Sequence, residues 1–529
     1  MCGITVYISK IEHENDKIQN VSHRGPDKTS ILKFKFYDYY VSCVFHRLAI
    51  IDISHGNQPF HYENLGRNII LLCNGEIYNY LDIINRYNLN TRSDCHVILD
   101  LYLKIGIEKT VKELDGEFAF ILIDYNDSNM KVYYARDRFG IRPLFHVFNK
   151  NGFYFSSELK GLPFYGLGEQ VTPRTIFSYE IDKKGDIRND FEDYYTIGQN
   201  KILSVDDDND SFIYEKVRNS LISSVKDRLQ SERDIGALLS GGLDSSLVCA
   251  IASRILKKQG RKLKTFSIGI EESSPDIQYS RKVANFIDSE HHEIIIPIEQ
   301  WLSALSSIPK IIETYDITTV RATTGQFLIA QWIRKNTDVK VLLVGDGSDE
   351  LAAGYRYFFN APSSIDSHNE CIRLLTDIHY YDVLRCDRGI SSFGLECRVP
   401  FLCHHFADLY LSINPDKRNP ITGERIEKYI IRKSFENENL LPQEVLFRSK
   451  EAFSDGVSNA NKSFFEYITE FCSTFCDDIE HFPSKEASYY YYSFLDAYPN
   501  YNDENFKGYW LPRWSGGIQE PSARCLPNY

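Results

Sequence analysis

Near residue 200 the rhythm of apolar and polar positions changes, and the change predicts two differently built halves. Before it, apolar residues come in short alternating runs with turn residues between them, at 69–73, 118–124, 131–135 and 152–156, which predicts a strand-rich unit. The solvated acidic stretch Val205-Asp206-Asp207-Asp208-Asn209-Asp210 has no apolar partner spacing and reads as a linker. Beyond it strand, turn and helix alternate: strand 235–239, helix 245–258, strand 265–270, a helix through 280–287 and strand 340–344. Strands separated by helices of this length pair in parallel through right-handed crossovers. The second half is therefore expected to be a doubly wound α/β sheet that binds ligands at the carboxyl ends of its strands. From about residue 360 the pattern becomes mainly helical.

Length and charge narrow the picture. At about 100 to 200 residues per domain, 529 residues make two large units or three smaller ones. The net charge of -13, from 60 basic and 73 acidic residues, comes without a long basic run, so no nucleic-acid footprint is expected and any bound phosphate is small and locally held. Lys10, Glu12, Glu14, Asp16 and Lys17 interrupt any apolar leader, and no long apolar run follows, which argues against secretion and membrane spanning. The 12 cysteines sit in apolar segments without metal-ligand spacing, as reduced thiols of a cytosolic protein would.

Two segments carry candidate chemistry. In Met1-Cys2-Gly3-Ile4, removing one residue would put a thiol and a free α-amine on the same carbon. An α-amine titrates near about 7.7 to 8.0 and a thiol near about 8.5, so the amine can take the thiol proton as a carbonyl is attacked. Taken alone, Cys2 could equally be an unreactive cysteine opening a first strand. After strand 235–239, Ser240-Gly241-Gly242-Leu243-Asp244-Ser245-Ser246 brings backbone N–H groups and hydroxyls to a helix N-terminus, a cradle for phosphate. It lacks the Gly-Lys-Ser/Thr ending of a Walker A loop, and Asp244 stands where a metal would help neutralise phosphate. A ligand-free turn joining strand to helix is the other reading of this loop taken alone.

The loop resembles the pyrophosphate loop of N-type ATP pyrophosphatases, and Cys2-Gly3-Ile4 resembles the start of class II glutamine amidotransferases. In this order the two resemble the glutamine-hydrolysing asparagine synthetase family. The likeness runs through His23-Arg24-Gly25-Pro26-Asp27, Arg47-Leu48-Ala49-Ile50-Ile51-Asp52, Asn74-Gly75-Glu76-Ile77-Tyr78-Asn79, Arg136-Asp137-Arg138-Phe139-Gly140, Glu313-Thr314-Tyr315-Asp316-Ile317-Thr318-Thr319-Val320-Arg321, Arg398-Val399-Pro400-Phe401-Leu402 and Lys450-Glu451-Ala452-Phe453-Ser454-Asp455-Gly456. It implies an Ntn-hydrolase type antiparallel β-sandwich flanked by helices at 2–200, the acidic linker at 201–212, and at 213–529 a doubly wound parallel α/β sheet of the adenine nucleotide α-hydrolase type with helical additions.

For the first site the resemblance implies that Cys2 attacks the amide of glutamine while Asn74 and the Gly75 N–H hold the oxyanion. Arg47, with Leu48, Ala49, Ile50 and Ile51, would bind the α-carboxylate, and Glu76 and Asp94 the α-ammonium. For the second it implies that ATP adenylates the aspartate β-carboxylate, releasing pyrophosphate, and that ammonia then displaces AMP. Ser240, Gly241, Gly242, Asp244, Ser245 and Ser246 would hold phosphates, with Mg²⁺ on Asp244 and Asp349. Lys450 would face the pyrophosphate, Leu239, Ile268, Val344 and Gly345 the adenosine, and Thr318 and Arg321 the aspartate. Where relatives commonly read Ser-Gly-Glu-Gly-Ser-Asp-Glu, this chain has Val344-Gly345-Asp346-Gly347-Ser348-Asp349-Glu350: one hydroxyl is lost, and the acid expected to support the intermediate is the shorter Asp346. An internal passage for ammonia, a homodimer and a cytoplasmic location are also implied, with no nucleic-acid or membrane partner. Two alternatives remain at this point: another amidotransferase-linked adenylating ligase such as a β-lactam synthetase, whose relatives usually lack Cys2, and a non-catalytic homologue that has kept the fold.

Overall fold

The computed structural model describes residues 1–13, 15–203, 209–459, 462–475, 481–517 and 521. Of the linker expected at 201–212, residues 204–208 lie outside the described residues and 210–212 instead open the helix Asp210–Asp227, which Asn209 caps by accepting from the Ser211 N–H.

Two six-stranded sheets account for the first 200 residues. In the first, Gly3–Ser9 lies between Tyr39–Arg47 and Gly152–Ser156, every neighbour antiparallel. In the second, Arg67–Ile77, Gly116–Tyr125 and Asn129–Arg136 form the centre, again antiparallel. The sheets face each other through alternate residues, Ile4, Val6 and Ile8 from one and Ile70, Leu72, Ile121 and Ile123 from the other, as period-two side chains must. Ile69, Leu71, Phe120 and Leu122 point the opposite way and join a second core with Ile83, Val97, Ile98 and Leu101 of the flanking helices. This corrects the alternating pattern expected at 69–73 and 118–124: both faces are buried, so those runs are continuously apolar.

The third sheet is parallel throughout, in the order Glu290–Ile295, Lys264–Gly269, Ile235–Leu238, Val341–Leu343 and Glu396–Arg398. The chain builds outward from Ile235–Leu238 on one side and then returns to its other side, so the crevice between Ile235–Leu238 and Val341–Leu343 is the switch point where such sheets bind ligands. Helix boundaries shift modestly from the expected ones. The first crossover helix runs Leu243–Lys258 rather than from 245, because Gly242 is its N-cap, and the second starts at Pro275. Two strands were not foreseen, Glu290–Ile295 and the three-residue Glu396–Arg398.

Glu396–Arg398 is the edge against which the two halves meet, and the seam is ionic. Arg24 pairs with Glu158 and Asp387, each at 2.7 Å; Arg142 and Arg228 share Glu117 at 2.9 and 3.0 Å; Arg398 reaches Glu76 at 3.3 Å. All four arginines are fully buried. Charges taken out of water are tolerable only when paired, and removing one partner of such a set costs about 3 to 5 kcal/mol because the other charge is stranded. Arg24→Met is therefore expected to lower unfolding stability by about that amount, read in a denaturant titration, whereas Lys112→Met at the exposed Lys112–Glu192 pair is expected to change it by less than about 1 kcal/mol.

Candidate active sites

Cys2 enters the first sheet one residue before Gly3–Ser9, and Asn74 lies on Arg67–Ile77 of the second. The Cys2 backbone N–H donates to Asn74 Oδ1 at 2.8 Å, and the thiol faces the Leu48 carbonyl at 3.7 Å. Orienting Asn74 in this way leaves its Nδ2 buried with no hydrogen-bond partner among the described residues. A glycine is required next to it, since a Cβ on Gly75 would lie 2.2 Å from the Glu117 carbonyl. With Met1 attached, burial pushes the Cys2 thiol up to about 11 and lowers the Met1 amine, which sits 3.9 Å from Glu396. Among the described cysteines, all free, Cys2 alone is not fully buried.

The charges around Cys2 are arranged for a zwitterion. Arg47 donates to the carbonyls of Ile51, Asp52 and Ile53 and to Asn57, all neutral acceptors, and no ion pair neutralises it among the described residues. The Leu48 to Ile51 segment it organises is pinned from the other half of the chain: Glu232 N–H donates to the Ile50 carbonyl at 3.1 Å and Arg233 to that of Ala49 at 2.9 Å. The acidic members of the expected set are Glu76 and Asp94, both buried. Burial raises Glu76 well above the usual carboxylate range, with repulsion from Glu396 and Asp94 adding and Arg398 opposing. Burial likewise pushes Asp94 up to about 6, though it accepts the Ile77 N–H at 3.0 Å. Buried carboxylates whose pKa is raised in this way gain when a further cation arrives.

The second site is a cavity of about 400 Å³ at the switch point. Leu239, Ser240, Gly242, Asp244, Ser245, Ile268, Thr318, Arg321, Val344, Gly345, Asp346, Asp349 and Lys450 all line it. Gly241 and Ser246 do not: Gly241 adopts φ 74 and a Cβ there would also collide with Tyr279 and Ser280, so the position requires glycine, and Ser246 is fully buried with its hydroxyl unpartnered among the described residues. Within the loop the Ser245 hydroxyl accepts the Ser240 N–H and the Ser240 hydroxyl accepts the Gly242 N–H, while the helix beginning at Leu243 has no side-chain cap. Such a terminus favours an anion.

Several polar residues here were not foreseen. The ammonium of Lys428, a residue 1% exposed, bridges Asp244 and Asp349, with Lys450 on the other Asp349 oxygen at 2.6 Å. Asp244 and Asp349 thus converge on one cation, and their hard oxygen donors suit Mg²⁺. Arg385 pairs with Asp346 at 2.8 Å, and burial raises Asp346 above the usual carboxylate range. Thr318 donates to Asp316, and Arg321 is paired with Glu486, so the charge expected to meet aspartate already has a partner. Lys428 and Arg385 lie outside any recognisable motif. Lys428 adopts φ 57 at its helix start, a feature of the folded chain alone.

A buried thiol site and a phosphate cradle joined at one seam define a glutamine amidotransferase coupled to a nucleotide-using synthetase. A family model described as glutamine amidotransferase domain matches residues 1–188, and one described as asparagine synthase matches 216–369 and 362–519. Asparagine synthetase [glutamine-hydrolyzing] of Rattus norvegicus is 41% identical over 568 residues, covering 100% of this chain and 99% of that protein; its Homo sapiens counterpart is 40% identical with the same coverage. The chain belongs to the glutamine-hydrolysing asparagine synthetase family.

Because a raised carboxyl pKa means protonation begins nearer neutrality, the KM for glutamine in the glutaminase half-reaction is expected to rise as pH falls through about 6, where Asp94 gains its proton and stops attracting an ammonium. In Asp94→Asn the KM should be high and flat over the same range; a wild-type KM unchanged across it would show that Asp94 does not hold the substrate.

Proposed function

We propose that the chain makes asparagine from aspartate, ATP and glutamine, with the residues above in the roles the resemblance assigns them. The observation that carries this is the pairing in one chain of the Cys2–Asn74 contact, with its spare Asn74 Nδ2, and a loop-walled cavity at the sheet's switch point.

Removing Met1 turns the nitrogen held by Asn74 Oδ1 into an α-amine. That amine takes the thiol proton as Sγ attacks the glutamine amide carbon, Asn74 Nδ2 and the Gly75 N–H receive the oxyanion, and the amine returns a proton to the leaving ammonia. Water then hydrolyses the thioester to glutamate. Arg47 and the Leu48 to Ile51 backbone hold the α-carboxylate, and Glu76 and Asp94 the α-ammonium.

In the cavity, Leu239, Ile268, Val344 and Gly345 surround adenosine, and the Ser240 to Ser246 loop holds the phosphates. Thr318 and Arg321 orient aspartate so that a β-carboxylate oxygen attacks the α-phosphorus and pyrophosphate leaves toward Lys450. Asp244 and Asp349 would hold Mg²⁺, which when bound neutralises phosphate charge. Ammonia arriving from the first site attacks the acyl carbon, AMP departs, and Asp346 takes the surplus proton. The hydroxyl absent at Val344 removes one polar contact to the nucleoside, and the wall there is apolar instead.

With protein carrying no N-terminal tag, Cys2→Ala is expected to abolish asparagine formation from glutamine while leaving formation from ammonium, followed as pyrophosphate release, within about twofold of wild type. Lys450→Met is expected to reduce both. Equal loss of both routes in Cys2→Ala would contradict the division into two sites.

A further inference from the structure

We infer that Asp115, His404 and His405 form a binding site for a divalent transition-metal ion, of the Zn²⁺ or Ni²⁺ kind, at the seam between the two halves and separate from both reaction centres. One oxygen of Asp115 and one nitrogen from each imidazole all lie within 4.8 Å of one another. His404 Nδ1 is 3.2 Å from Asp115 Oδ1, and His405 Nε2 is 3.9 Å from Asp115 Oδ2. Imidazole nitrogen and carboxylate oxygen bind Zn²⁺ at about 2.0 to 2.2 Å, so atoms at these separations can close on one ion with small side-chain movements. A simple ion pair would account for His404 but not for the second ring, whose centroid lies 3.8 Å from the first at an interplanar angle of 40° and whose Nε2 faces the same carboxylate.

The ligands are held from both sides of the seam. Asp115 sits between the helix Ile107–Glu113 and the strand Gly116–Tyr125, its carbonyl accepting the Tyr78 N–H at 2.8 Å and its N–H donating to Asn79 Oδ1 at 3.0 Å. The two histidines open the helix His404–Ser412 of the synthetase half. The nearest cations are already engaged, Arg228 by Glu117 at 3.0 Å and Arg138 by the Leu114 carbonyl at 2.8 Å. His405 is 72% exposed, giving an ion a route from solvent and leaving room for water to complete the coordination. An ion held here would clip the amidotransferase half to the synthetase half.

The test uses full-length, chelator-treated protein titrated with Co²⁺, followed by its visible absorption, and with Zn²⁺, followed by calorimetry. One ion per chain is expected at this site, with His405→Ala weakening it at least about tenfold and His404→Ala and Asp115→Asn doing the same. His405→Ala should leave the metal-free unfolding midpoint unchanged, because that exposed ring contributes little without an ion, and should lose the midpoint increase that Zn²⁺ gives wild type. No saturable binding, or binding of equal affinity in wild type and His405→Ala, overturns the assignment.

Discussion

The hydrogen bond from the Cys2 nitrogen to Asn74 Oδ1 is the contact on which the chemistry rests. An amide side chain offers one acceptor and one donor group on a rigid plane, so fixing its oxygen on the nitrogen of residue 2 also fixes the direction of its Nδ2. In the proposed mechanism this one contact orients the base, the nucleophile's residue and an oxyanion donor. Its cost is Nδ2, a buried polar group without a hydrogen-bond partner among the described residues. Natural proteins tolerate such a group where binding or catalysis needs it.

The rest of the fold serves to hold that contact beside a second site. Glu396–Arg398 is at once the edge strand of the parallel sheet and a link between the halves: the Arg398 side chain reaches Glu76, while its carbonyl accepts the N–H of Val344, which lines the cavity. Met1 lies in the same seam, its sulfur near Arg24 and Arg142 and its amine near Glu396. Losing that residue vacates buried space among paired charges. Pairing within the seam keeps its arginines from presenting bare charge to either site.

Much of this was legible in the sequence because the chemistry is local there. The Ser240 to Ser246 loop and the Asn74 to Glu76 run are contiguous, and the strand-helix alternation from 235 to 344 placed three of the parallel strands to within a residue or two. What escaped had a physical reason. Glu396–Arg398 is too short to show a period, and Glu290–Ile295 begins with Glu-His-His-Glu, polar because the strand lies at an open edge. Lys428 and Arg385 act through partners 184 and 39 residues away, and Glu486 neutralises Arg321 across 165, distances at which no local pattern survives. The sequence could name residues expected to meet a substrate but not the counter-charges they pair with.

Everything proposed for the thiol site requires the nitrogen beside Asn74 to be an amine and not an amide. Intact-mass and N-terminal sequence measurements on purified, glutamine-active protein decide this directly. The account predicts a chain that begins at Cys2, with glutaminase turnover scaling with the fraction so processed. Full glutamine-dependent activity in a population that uniformly retains Met1 would contradict it.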